Sequence, residues 1–127
     1  LSEHVLDASA ALASIFGEPG HEVVNASLAE SYIGTVNLAE VASKLADHGY
    51  ADESIGWMLR DLQAEIVPFS TTTAIESGRL RAITRSSGLS LGDRACLALA
   101  VELGLPALTA DRRWTHVRTK AKVELIR

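Results

Sequence analysis

Apolar and polar positions along this chain follow two rhythms in turn: short β-type runs, and longer stretches in which apolar residues recur every three to four positions. His4, Val5 and Leu6 make a short run that stops at Asp7, and the helix-forming segment 8–16 ends at the loop Gly17-Glu18-Pro19-Gly20. A second helix is predicted over 21–29. The β-branched run 33–36, interrupted by Gly34, reads as a strand. From Asn37 the period becomes helical, with Leu38, Val41, Ala42 and Leu45 on the i, i+3, i+4, i+7 template and Gly49 closing the segment. Ile55, Met58, Leu59 and Leu62 repeat that template in the next helix.

Further along, Ile66-Val67-Pro68-Phe69 predicts a strand whose proline marks an edge or an end. Segment 71–87 is helix-like and stops before Gly88. The helix 90–103 contains Ala95 to Val101, apolar on all sides, which predicts burial. Gly104-Leu105-Pro106 turns into a strand at 107–109, and a basic helical stretch leads to a last strand at 123–126. No repeat, low-complexity segment or linker interrupts the sequence, so one domain over 1–127 is expected. Strands alternating with helices of this length imply an α/β architecture, a parallel sheet with helices on both faces.

Four acids stand where apolar runs meet turns: Asp7, Glu40, Asp93 and Asp111. A carboxylate in such a place is costly to desolvate unless a cation or hydrogen bonds hold it. In parallel α/β sheets ligands collect at the carboxyl ends of the strands, and Asp7 and Asp111 follow their strands there. Glu40 and Asp93, each three residues after Asn37 and Ser90, fall in first helical turns that can face the same crevice. Local roles compete with this reading. Asn37-x-x-Glu40 and Ser90-x-x-Asp93 both resemble capping boxes, Glu40 has Lys44 four residues on, and Asp7 and Asp111 could each cap a helix or turn. Capping does not explain why both strand-end acids share the ligand-binding edge. Asp93 opens a helix with no other charge from Ala95 to Val101, where a bound cation would offset its charge.

Composition narrows the classes of function. A length of 127 residues fits one domain that buries roughly two-thirds of its unfolded surface. With 47% hydrophobic and 22% charged residues it has a globular composition, and no apolar run approaches the roughly 18 residues that span a bilayer. No basic segment with a small-residue cleavage site opens the chain, which makes the cytoplasm the expected compartment. The first residue is Leu1, so a few preceding residues are expected. The one cysteine, Cys96, has no intrachain partner and sits mid-helix among apolar residues, as a core thiol would. The net charge of −4 is unevenly spread: residues 1–78 carry 2 basic and 12 acidic side chains, and residues 79–127 carry 10 and 4. The asymmetry hints at an anionic partner, unless folding interleaves the halves.

Hard oxygen donors without a His or Cys cluster suit Mg²⁺ or Mn²⁺ rather than zinc, and His4, His21, His48 and His116 show no paired ligand spacing. A carboxylate-held cation of this kind can activate water for in-line displacement at phosphorus. Arg112 and Arg113, next to Asp111, are candidates for contacting flanking phosphates, with Arg94 and the group Arg79, Arg81 and Arg85 as a second track; surface solvation or pairing with acids competes for each. Trp114 is either a base-stacking platform or a core residue under the final strand, and Trp57, off the apolar face of its helix, is a candidate partner contact.

Four stretches carry a family resemblance: Val5-Leu6-Asp7-Ala8-Ser9-Ala10, Thr35-Val36-Asn37-Leu38-Ala39-Glu40-Val41, Leu89-Ser90-Leu91-Gly92-Asp93-Arg94-Ala95 and Leu108-Thr109-Ala110-Asp111. Together they resemble the signature segments of PIN-domain ribonucleases, and specifically the VapC toxins of bacterial toxin–antitoxin pairs. The likeness spans essentially the whole chain, with Ser-Leu-Gly-Asp-Arg its most specific part. It implies a three-layer sandwich with a mainly parallel central sheet. It also implies metal-holding catalytic acids at Asp7, Glu40, Asp93 and Asp111, and supporting residues at Ser9, Asn37 and Thr109. The implied activity is Mg²⁺- or Mn²⁺-dependent endoribonuclease action on transfer or ribosomal RNA, leaving a 5′-phosphate and a 3′-hydroxyl. A homodimer is implied as well, and a VapB-like antitoxin that covers the acidic crevice and binds operator DNA on the toxin's behalf. Where some members carry a further acid, this chain has Trp114, Thr115 and His116, leaving one or two ions open. Two other readings of the same residues are a catalytically silent interaction or co-repressor module, and a different metal-dependent phosphohydrolase or DNA nuclease.

Overall fold

A computed structural model describes residues 3–127. Five strands, β1 (Val5–Leu6), β2 (Tyr32–Gly34), β3 (Glu65–Val67), β4 (Ala107–Thr109) and β5 (Val123–Leu125), form one sheet in the order β3-β2-β1-β4-β5. Every pairing is parallel, with Val5 opposite Tyr32 and Ala107, and Leu6 opposite Leu108. The described helices are α1 (Ala8–Phe16), α2 (His21–Ser27), α3 (Thr35–Asp47), α4 (Asp52–Arg60), α5 (Thr71–Thr84) and α6 (Leu91–Leu103).

The period of two along each strand divides the core between the two faces of the sheet. Leu6, Ile33 and Leu108 pack with the small residues Ala10, Ala11 and Ala13 of α1 and with Val41 and Leu45 of α3. Val5 and Ala107 point the other way, onto Cys96, Leu97, Leu99 and Ala100 of α6 and onto Trp114. Each large aliphatic side chain so enclosed stabilises the fold by about 1.5–3 kcal/mol relative to exposure. α6 is buried from Ala95 to Ala100 as its apolar run predicts, but Val101 and Leu103 at its end reach the surface.

Several boundaries differ from the periodicity, three of them for a visible physical reason. The helix expected from Asn37 begins at Thr35, after an extended Gly34, because β2 ends after three residues. β-Branched residues in a first turn cost less than about 0.7 kcal/mol each, so Thr35 and Val36 join it readily. Asn37 is therefore inside the helix and does not cap it. The third strand starts at Glu65 and stops at Val67, since Pro68 has no N–H for the ladder. β3 is an edge strand, as that proline suggests. The basic stretch before β5 contracts to a 3-10 turn, Arg112–His116, pinned by the buried Trp114 and ended by an extended Val117.

Candidate active site

Parallel pairing brings the carboxyl ends of β1 and β4 side by side, and the backbone N–H of Asp7 donates to the Leu108 carbonyl at 3.0 Å. Asp7 is the extended residue before α1 and its carboxylate caps no helical N–H. It is instead held by hydroxyls: Ser9 Oγ donates to Oδ2 at 2.7 Å and Thr109 Oγ1 donates to the same oxygen at 2.8 Å. Those hydroxyls are fixed in turn, because the Ala110 N–H donates to Ser9 Oγ and the Asp111 N–H to Thr109 Oγ1, each at 3.0 Å. Asp7 is only 5% exposed. Burial pushes its carboxyl above the ordinary 3.8, the two hydroxyl donors oppose that, and the nearby charge of Asp93 adds to it.

Glu40 comes from the second turn of α3. Asn37, one turn earlier, donates from Nδ2 to Glu40 Oε1 at 2.9 Å and to the Gly92 carbonyl at 3.0 Å, tying α3 to the start of α6. Glu40 is half-buried and its carboxyl is raised above the ordinary 4.5, first by burial and then by the charges of Asp7 and Asp93. Asp93 sits at the third position of α6, where it completes a capping box: its Oδ2 accepts from the Ser90 N–H at 2.8 Å and Ser90 Oγ accepts from the Asp93 N–H at 3.2 Å. The charge of Asp93 reaches Asp7, and the charges of Asp7 and Asp93 reach Glu40. Gly92 makes the approach possible, because a Cβ there would overlap the Glu40 carboxylate.

Asp111 lies at the same edge with a different environment. Arg113 Nε donates to its two oxygens at 3.0 and 3.1 Å, Nη2 donates to Oδ2 at 2.6 Å, and the pairing holds this carboxyl below the ordinary 3.8. Among the described residues no three His, Cys, Asp or Glu side chains stand together in metal-ligating geometry. Asp93 is turned to Ser90, Asp111 to Arg113 and Glu40 to Asn37. In kind, the donor set fits a hard divalent cation, being all oxygen; among the described residues Asp7 and Glu40 make no ion pair, while Asp93 lies 3.9 Å from Arg113 Nη2.

The PIN domain family model matches residues 4–120. The chain belongs to the PIN-domain family. This PIN domain is similar in structure to VapBC bound to DNA from Salmonella typhimurium, with 21% identity, a TM-score of 0.77 and coverage of 100% of both chains. It is similar to VapBC2 of Rickettsia felis bound to a promoter DNA fragment, with 17% identity, a TM-score of 0.77 and coverage of 97% of this chain and 98% of that one. VapBC-5 of Mycobacterium tuberculosis aligns with 24% identity, a TM-score of 0.62 and coverage of 100% and 99%. No curated protein sequence matches the chain.

Within the PIN domain the supporting residues Ser9 and Thr109 converge on Asp7, and Asn37 on Glu40. Of the arginines, Arg112 is exposed beside the edge, while Arg94 turns away, donating from Nη1 to the Ser77 carbonyl at 2.9 Å with its Nε buried. Arg94 therefore braces α5 against α6 rather than facing the carboxylates. Arg79 pairs with Glu76 at 2.6 Å. Trp114 is 1% exposed and belongs to the core, which removes it as a base-stacking platform; Trp57 is 62% exposed with the Arg60 guanidinium 5.2 Å from its ring centroid. Two features were not read from the sequence: the space Gly92 leaves for Glu40, and the Arg113 clamp on Asp111. The Gly92-Asp93 pair at the opening of a helix was the available signal for the first, since glycine that early in α6 has no helical advantage.

Among the described residues no helix is long and apolar enough to cross a membrane.

Proposed function

We propose that this chain is a VapC-type toxin: an endoribonuclease dependent on Mg²⁺ or Mn²⁺ that hydrolyses phosphodiester bonds in transfer or ribosomal RNA and is restrained by a VapB-like antitoxin. The observation that carries the reading is the convergence, at the carboxyl edge of a parallel sheet, of Asp7, held by Ser9 and Thr109, and Glu40, held by Asn37, whose carboxylate fills the space beside Gly92, the residue before Asp93. Membership in a family of nucleases supports the reaction class. Similarity to proteins solved as VapBC complexes supports the antitoxin.

Asp7, Glu40, Asp93 and Asp111 would hold the cation. The chemistry supplied there is activation of a water and neutralisation of charge building on the phosphate oxygens during in-line displacement. The protein's own part is orientation. Ser9 and Thr109 fix Asp7 through Oδ2, Asn37 fixes Glu40, and Asp7, Asn37 and Thr109 are themselves buried. Arg112 and Arg113 flank the acids and would engage the phosphates on either side of the scissile bond. The products would be a 5′-phosphate and a 3′-hydroxyl. A homodimer in the cytoplasm, with operator DNA bound only through the antitoxin, completes the reading.

The test is incubation of total cellular RNA with purified, antitoxin-free protein and Mg²⁺ or Mn²⁺, beside an EDTA control and Asp7→Asn. Discrete products that disappear in both controls are expected. Intact RNA under every condition, with metal bound, would move the activity to another phosphoester or to DNA. A second reading, a catalytically silent module of the same fold, draws on the pairing of Asp93 with Ser90 and of Asp111 with Arg113; it predicts no rise in Tm with Mn²⁺.

A further inference from the structure

Arg113 contributes more contacts at the acidic edge than a phosphate-contacting residue would need. Its guanidinium binds both oxygens of Asp111 through Nε, binds Oδ2 again through Nη2 at 2.6 Å, and donates from Nη1 to the Gly88 carbonyl at 3.3 Å. The same Nη2 is 3.9 Å from Asp93 Oδ2. The positive charge therefore bridges two carboxylates that come from different elements, one after β4 and one at the start of α6. The turn that carries it is short and held at its next residue by the buried Trp114, so the backbone of Arg113 is fixed while its side chain is more than half exposed.

We propose that Arg113 is a built-in counter-ion that competes with a divalent cation for Asp111, and that on displacement the same guanidinium becomes the contact for an RNA phosphate. The inference rests on the metal-nuclease reading and adds a coupling to it. A carboxylate cannot satisfy a multidentate guanidinium and a hard cation equally well, because both draw on the same lone pairs. A released guanidinium on an anchored turn stays within side-chain reach of the crevice, where phosphate offers the planar fork a matching pair of oxygens. Metal affinity is thereby lowered when no RNA is bound, and RNA that takes up Arg113 raises it, as linkage requires.

Calorimetric titration of Mn²⁺ into the full chain separates the possibilities. Arg113→Ala is expected to bind Mn²⁺ about three- to tenfold more tightly than the unaltered chain, the range set by the worth of a charge-assisted, partly exposed pair. Arg113→Lys, which keeps the charge and loses the fork, is expected between the two and guards against a folding defect in the alanine variant. Arg112→Ala removes a neighbouring charge that makes no ion pair among the described residues, and is expected to change the affinity less than twofold. With Mn²⁺ present and a cleavage-resistant phosphorothioate RNA oligonucleotide, Arg113→Ala should weaken RNA binding by anisotropy. Unchanged or weaker Mn²⁺ binding in Arg113→Ala, or an equal gain in Arg112→Ala, overturns the competition. Tighter Mn²⁺ binding with unchanged RNA affinity overturns the phosphate role. Absence of Mn²⁺ binding in every chain overturns the metal reading and this inference with it.

Discussion

The Cβ that Gly92 lacks would fall on the Glu40 carboxylate. Two elements distant in sequence meet there, the second turn of α3 and the first turn of α6, and Asn37 closes the junction through the Gly92 carbonyl. Gly92→Ala separates site geometry from stability. The displaced group is the far end of a flexible side chain, and alanine is worth up to about 1 kcal/mol over glycine in a helix, so the net change in stability should stay within about 1 kcal/mol. Glu40, however, must leave its place. Loss of most Mn²⁺ affinity at nearly unchanged Tm is expected, by calorimetry and thermal melts; a variant that melts much earlier would mean that the junction cannot adjust.

Asp7 and Glu40 give the second expectation. Both carboxyls are raised, Asp7 mainly by burial and Glu40 by burial and then by the charges of Asp7 and Asp93. A raised acid contributes stability that is fully present below its unfolded value, ordinarily 3.8 for Asp and 4.5 for Glu, and lost as pH rises through the folded value. In EDTA the unaltered chain should therefore lose this contribution as pH climbs from the acid side toward neutrality. Asp7→Asn removes the Asp7 share of that loss and should melt higher than the unaltered chain at pH 7, while cleaving no RNA. Asp111 opposes the trend with the reverse sign: its carboxyl is lowered by Arg113, so its contribution is present above its unfolded value and lost in acid. The difference in Tm between the unaltered chain and Asp7→Asn, followed across pH, isolates Asp7 from Asp111.

The two tryptophans should behave oppositely. Trp114 is fully enclosed with Val5, Leu97 and Ala107, so Trp114→Ala should cost about 3–5 kcal/mol in denaturant melts. Trp57 stands 62% exposed, and Trp57→Ala should change stability by less than about 0.5 kcal/mol. Acrylamide quenching reads the same contrast: Trp57→Ala should leave a chain whose fluorescence is protected, and a strongly quenched Trp114 would contradict its place in the core.

What was legible in the sequence follows from which physical signals are local. The apolar run of α6 and the short runs of β1 and β4 alternating with helices specify burial by themselves, so the parallel sheet with helices on both faces could be read directly. Ser90 and Asp93 form the capping box that their spacing announces. Asn37 and Glu40 share that spacing but do not, because the end of β2 at Gly34 moves the helix start to Thr35, and strand length is decided by the neighbours in the sheet. Tertiary contacts likewise decide the arginines. Arg94 and Arg113 look equivalent beside their acids, yet one reaches across to the Ser77 carbonyl and the other folds back onto Asp111. Nothing within a few residues of either distinguishes them.

Thr109 supplies the last expectation. Its hydroxyl, wholly buried, donates to Asp7 Oδ2 at 2.8 Å and accepts from the Asp111 N–H at 3.0 Å, and Ser9 Oγ stands 3.2 Å away. Thr109→Val keeps the shape and removes the hydroxyl, leaving the Asp111 N–H unpaired and Asp7 with one hydroxyl donor in place of two. An unpaired buried polar group costs about 1–3 kcal/mol, so a fall in stability of that order is expected. Asp7 should also become harder to ionise, since one of the bonds that lowers its pKa is gone. Thr109→Ser is the matching control: it keeps both hydrogen bonds and gives up a methyl group, for about 1 kcal/mol. Weaker Mn²⁺ binding and slower RNA cleavage are expected for the valine variant and not for the serine one. Equal loss in both would assign Thr109 to packing alone, whereas loss confined to valine would make the hydroxyl the link through which β4 orients the carboxylate at the end of β1.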